Sequence, residues 1–158
     1  MRGALAGATG VEMDRAERAV ELFSRGHACS QAVLVVWSVD LGLDETTAAR
    51  LAAPFAGGMQ LGSLCGALTG ALMVIGLARC SASCASREGR AVTIEPTLEL
   101  SKRFEERFGS LTCPGVLGRD LREAGVRQRA REDGLFASRC APAVRAATLM
   151  LEDLLEPD

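Results

Sequence analysis

The chain has no tyrosine, one tryptophan and one histidine in 158 residues. A core so poor in aromatics must be built from Ala, Leu, Val and Gly, which suits closely packed helices better than a sandwich of sheets. There is no Cys-x-x-Cys pair, which excludes a zinc ribbon and a thioredoxin-type motif. There is no excess of positive charge either. Eighteen basic against twenty acidic residues leave a net charge of −2, and that is no electrostatic footprint for nucleic acid. Basic residues do gather in 119–139, but Asp120, Glu123, Glu132 and Asp133 interleave with them, as on a solvated helix face. Around the single His27 no Ser-His-Asp set can be assembled, because no Asp partner can be placed. Gly57, Gly58 and Gly62 follow no strand and precede no phosphate-loop lysine, which argues against a nucleotide site.

Charge is missing altogether from residues 51–78. An uncharged helix has no face that prefers water, so this stretch must be buried. Its length would allow a membrane span, but Pro54, Gly57, Gly58, Gln60, Gly62 and Ser63 break the first half. The unbroken apolar part, 64–78, is short, and its neighbours read as amphipathic helices of a bundle, so membrane insertion is disfavoured. Within it Gly62, Gly66 and Gly70 recur every four residues. On a helix that spacing lays three glycines down one side, where another backbone can come close, either within the chain or in a homodimer.

The periodicity predicts helices over 11–25, 29–41 and 45–53, the last capped by Asp44 and ended by Pro54. A glycine turn follows at 57–62, then a central helix over 63–79 and a loop over 81–91. Further helices are expected from Thr93 to Phe108, briefly from Thr112, over 119–131 with Gly125 in its middle, and from Cys140. Gly134 is expected to open a loop. The sum is an all-α, single-domain bundle of five or six helices around the glycine-rich segment 64–79, occupying 11–158. Residues 1–10 read as a disordered tail, since they are too short and glycine-rich for an export signal and Glu12 and Asp14 follow at once. A cytoplasmic setting follows from that reading, and there six cysteines are ligands or reactive thiols more often than permanent staples.

Four of the cysteines share one predicted setting. Cys29, Cys65, Cys113 and Cys140 each fall in the first turn of a predicted helix. The free N–H groups and positive dipole end found there favour thiolate over thiol. Cys80 and Cys84 lie apart in a small-residue loop, where they could form a disulfide or supply ligands, with incidental exposed thiols the plainer reading. His27, two residues before Cys29, could tune that sulfur or could simply be an exposed cap.

These residues resemble a known family. The segments Gly26-His27-Ala28-Cys29-Ser30-Gln31, Gly57-Gly58-Met59, Cys65-Gly66-Ala67-Leu68-Thr69-Gly70, Phe108-Gly109-Ser110 ahead of Cys113, and Cys140 are similar to the C_GCAxxG_C_C family of redox-active bacterial and archaeal proteins. The resemblance carries the family's four cysteines onto Cys29, Cys65, Cys113 and Cys140, and its glycines onto Gly57, Gly58, Gly66 and Gly70. It leaves out Cys80 and Cys84. Where the family commonly has a polar residue before the first cysteine, this chain has Ala28. Proteins of the family are often encoded near transporter genes, which implies a redox or transporter-linked partner.

Three functions follow as expectations. The first is dithiol–disulfide chemistry, with Cys29 and Cys65 as the core pair and Cys113 and Cys140 completing a four-sulfur cluster. The second is an iron–sulfur or zinc site on the same four sulfurs. The third is a helix-pairing module without chemistry, built on the glycine face.

Overall fold

The computed structural model describes residues 13–156. The expected tail at 1–10 lies outside the described residues. The fold is all-α. Six helices have eight or more residues: α1 (Arg15–Ser24), α2 (Cys29–Ser38), α3 (Glu45–Ala52), α4 (Gly66–Arg79), α6 (Ile94–Phe108) and α9 (Ala141–Leu155). Three are shorter: α5 (Arg87–Ala91), α7 (Cys113–Leu117) and α8 (Val126–Glu132). Among the described residues no helix is long and apolar enough to cross a membrane.

Two helices, not one, form the centre. In α2 every residue except Cys29 and Gln31 is buried, so the run Val33-Leu34-Val35-Val36-Trp37 packs on all sides. α2 lies against α1, α3, α4 and α9, while α4 lies against α2, α6 and α9. The valines of α2 have strand propensity, but burial against helical neighbours overrides so weak a preference. Its buried hydroxyls are satisfied locally: Ser30 donates to the Ala52 carbonyl at 2.8 Å and Ser38 to that of Val35 at 2.9 Å. Near the surface, Arg15 stacks 3.8 Å from the Trp37 ring centroid and pairs with Asp40 at 3.0 Å and Glu156 at 3.3 Å, linking α1, α2 and α9.

The signals at helix ends act as expected at several places. Asp44 accepts from the Thr47 N–H at 2.9 Å and starts α3. Gly26 and Gly109, both at positive φ, end α1 and α6.

Elsewhere the structure corrects the reading. α4 begins at Gly66, and Gly62 sits before it at φ +66°, so only Gly66 and Gly70 share the helix face. Gly125 is not inside a helix: at φ +73° it precedes α8, and residues 119–124 form turns in which Asp120 accepts from the Arg122 N–H at 3.0 Å. The loop at 81–91 contains a 3-10 turn, Ala82–Ala85, and α5, because Ser81 and Ser86 cap them. Gly134 opens no long loop. Helix resumes at once through a wide turn, Phe136–Cys140, whose marker is the Ala141 N–H donating five residues back to the Phe136 carbonyl. Cys80 and Cys84, read as incidental thiols, are joined as a disulfide with Cα atoms 5.3 Å apart. The 3-10 turn between them folds Cys84 back, its N–H donating to the Ser81 carbonyl at 3.0 Å.

Candidate functional site

Three of the four cysteines of the pattern, Cys29, Cys65 and Cys113, stand at helix starts as expected, whereas Cys140 lies inside a helical run that enters α9 from Leu135, because the wide turn Phe136–Cys140 continues directly into it. Cys29 and Cys113 are the first residues of α2 and α7, and Cys65 and Cys140 precede α4 and α9. The fold brings these four segments together. The Cys65 N–H donates to the Leu111 carbonyl and the Cys113 N–H to the Ser63 carbonyl, both at 2.8 Å. This short antiparallel bridge, centred on Leu64 and Thr112, ties the second and third cysteine segments side by side. Gly66 lets α2 approach: a Cβ there would lie 3.2 Å from Cys29 Cβ. Gly58, at φ +67°, does the same for α7, since a Cβ there would lie 2.8 Å from Cys113 Cβ. The wide turn Phe136–Cys140 packs on α7 and delivers Cys140 beside Cys29.

Gly57 and Gly58 belong to a left-handed turn that Met59 and Gln60 continue at φ +58° and +59°. For residues with a Cβ, that conformation costs roughly 1–2 kcal/mol each. Strain of this kind persists where the surroundings over-determine it, commonly beside functional groups. Here it forms one wall of the cysteine site.

The electrostatics overturn one expectation. Helix starts were expected to favour thiolate at all four positions. Burial instead pushes Cys65, 3% exposed, up to about 12 from an ordinary 9.0, and the N–H groups of Ala67 and Leu68 only partly offset it. Burial also pushes Cys113 up to about 11, assisted by Cys140 and Asp120 and opposed by Arg127. Cys29 rises well above its ordinary value, first because it is the hydrogen-bond partner of Cys140 and then because it is desolvated. Cys140 alone is lowered, by the hydrogen bond from Cys29. Cys140 bears on Cys29 most strongly, with Cys65 and Cys113 adding smaller effects of the same sign. Part of the Cys29 surface is open, while Cys140 is 5% exposed. The contact between the two sulfurs opposes ionisation of Cys29 and favours that of Cys140.

A pH effect on stability follows. Unfolded thiols lose their protons near 9, whereas folded Cys65 and Cys113 keep theirs until about 12 and about 11. Between those limits the unfolded state binds fewer protons, so stability is full below about pH 9 and falls as pH rises toward 11–12. The slope approaches about 1.4 kcal/mol per pH unit for each group. With no tyrosine and one lysine, few other groups titrate there. Urea midpoints of the reduced protein are expected to fall between pH 8.5 and 10.5, and Cys65→Ala to flatten that fall.

His27 is half-buried and lines a cleft beside the pair, and its side chain makes no hydrogen bond within the described residues. Sequence reasoning missed three residues. Gln31 accepts from the Ala28 N–H at 2.9 Å and donates to the Ala49 carbonyl at 2.9 Å, fixing the start of α2 that Ala28 cannot cap. Arg127 donates to Gln60 at 3.0 Å and bears on Cys113. Arg131 lies one turn beyond Arg127 on α8, and that four-residue spacing was the available signal.

A shared iron–sulfur or zinc centre needs its ligands gathered about one point. Among the described residues, no group of three or more His, Cys, Asp or Glu side chains is so arranged. The four sulfurs as placed do not fit a single-ion centre such as zinc.

Comparison with curated proteins and with solved structures gave no match in either case. A family model described as "Putative redox-active protein (C_GCAxxG_C_C)" matches residues 27–154, which contain all four cysteines of the site and the glycines that let them meet. On that match, which spans most of the chain, the protein belongs to the C_GCAxxG_C_C family of redox-active proteins.

Proposed function

We propose that the protein performs dithiol–disulfide exchange, with Cys140 as the attacking thiolate and Cys29 as the resolving thiol. The observation that carries this reading is the convergence of the cysteine segments, which sets Cys140 beside Cys29, where their contact opposes ionisation of Cys29 and favours that of Cys140. The family's redox character supports it. The Cys140 sulfur attacks one sulfur of a disulfide R–S–S–R′. A Cys140–S–R bond forms, the R–S–S–R′ bond breaks, and R′S⁻ leaves, taking the proton released by Cys29. The Cys29 sulfur then attacks Cys140, the mixed disulfide breaks, and RS⁻ leaves and takes up a proton from solvent. Two electrons pass from the cysteine pair to the substrate, which ends as two thiols. Cys65 and Cys113 stay protonated at neutral pH beside the pair, because burial opposes their ionisation.

The test is titration of the reduced native protein with diamide, followed by peptide mapping under non-reducing conditions. The expected first product is a Cys29–Cys140 cross-link with loss of two thiols. If all four sulfurs remain free, or if neither Cys29 nor Cys140 enters the first disulfide formed, the reading is wrong.

A further inference from the structure

A cleft of about 810 Å³ opens beside the cysteine pair. Ala28 and Ala141, the chain neighbours of Cys29 and Cys140, form part of its wall, so it adjoins the sulfurs along the backbone. Its volume suits a small organic molecule. Its lining has two characters. Phe23 and Phe136 are half-buried and supply apolar surface, while Arg127 and Arg131 are exposed on α8 and supply positive charge. His27 and Gln31 add polar groups between them. No Asp or Glu lines the cleft, and among the described residues neither arginine forms a salt bridge. Two uncompensated guanidinium groups one helical turn apart suit carboxylates.

We infer that this cleft binds the substrate of the cysteine pair, and that the substrate is a small disulfide bearing carboxylates. The inference rests on the dithiol reading above and adds a substrate class to it. The carboxylates pair with Arg127 and Arg131 and the carbon skeleton lies on Phe23 and Phe136; the cysteines do not line the cleft themselves, so the S–S bond reaches the partly open Cys29 at the Ala28 edge. The exchange is balanced as already written: the protein pair is oxidised to a disulfide and the substrate leaves as two carboxylate-bearing thiols.

Three disulfides of different charge test this, each rate being divided by that of the same probe with a free small thiol so that leaving-group acidity cancels: 3,3′-dithiodipropionate, bis(2-hydroxyethyl) disulfide and cystamine. Each oxidises the reduced full chain at low salt, and the rate of Cys29–Cys140 formation is measured. The anionic probe is expected to react at least about tenfold faster than the cationic one, with the preference shrinking as salt is added. The double variant Arg127→Gln with Arg131→Gln should lose most of that preference, the anionic probe slowing far more than the neutral one. Arg127→Glu with Arg131→Glu should reverse it toward cystamine. Equal rates for all three probes on the wild-type chain, or an equal fall for all three in the double variant, overturns the cleft assignment and leaves the dithiol chemistry standing. Absence of the Cys29–Cys140 disulfide with every probe removes both.

Discussion

Gly70→Ala is expected to lower stability by about 3 kcal/mol or more, the upper range for overpacking a tight core. The added Cβ would lie 2.6 Å from the Ser30 carbonyl oxygen, 3.0 Å from Ser30 Cα and 3.1 Å from Val33 Cβ. Two of these atoms are backbone of the most buried helix, and Ser30 is itself fixed by its bond to Ala52, so neither helix can yield cheaply. The same helix supplies its own controls. At Gly76 a Cβ meets nothing within 4 Å, so Gly76→Ala should stabilise by roughly 0.5–1 kcal/mol through backbone entropy alone. At Gly66 the nearest atom is Cys29 Cβ at 3.2 Å, and Gly66→Ala should fall between the two. In thermal melts, Gly70→Ala should drop Tm by roughly 10 °C and Gly76→Ala should raise it by a few degrees. A neutral Gly70→Ala would mean that α2 and α4 do not meet at this distance.

The largest chemical effect is expected at the cysteine pair. In Cys29→Ser, a small disulfide probe should leave a stable mixed disulfide on Cys140, seen as a single adduct by mass spectrometry, because the resolving sulfur is gone. In Cys140→Ser the adduct should form more slowly, because burial still opposes ionisation of Cys29 even though its contact with the Cys140 sulfur is gone. Each unit by which a thiol pKa exceeds the working pH removes about tenfold of its thiolate, so a rate loss of about tenfold is expected. Serine keeps size and hydrogen bonding, so unchanged urea midpoints would assign the loss to sulfur chemistry. Equal adduct yields in the two variants would remove the distinction between attacker and resolver.

The sequence placed the sulfurs but not their acidity. Helix starts were legible where local signals mark them, with Gly26 before Cys29 and Thr112 and Pro114 around Cys113, but Pro142 after Cys140 marked no start, because the helical run begins earlier, at Leu135. The family pattern pointed to the same four positions. Acidity depends on desolvation by segments far away in the chain. At Cys65 and Cys113 burial outweighs the helix-start dipole that favours thiolate. Pairing was illegible for a related reason. Which sulfur adjoins Cys29 is set by the wide turn Phe136–Cys140 packing on α7, and no composition or period signals such a turn. Gly62 and Gly125 misled because a four-residue spacing or a charged run reads as helix until a positive φ is seen. Arg127 and Arg131 were hidden among other charges, since only the cleft distinguishes them from a solvated face.

The two-bond bridge at Leu64 and Thr112 has a kinetic consequence. Cys65 and Cys113 hang on the same pair of backbone hydrogen bonds, and both are shielded from solvent. A reagent that needs one of them uncovered must wait for an opening that releases the partner segment as well. Labelling of the two should therefore follow one shared opening rate, set by the fold and insensitive to which thiol is the better nucleophile.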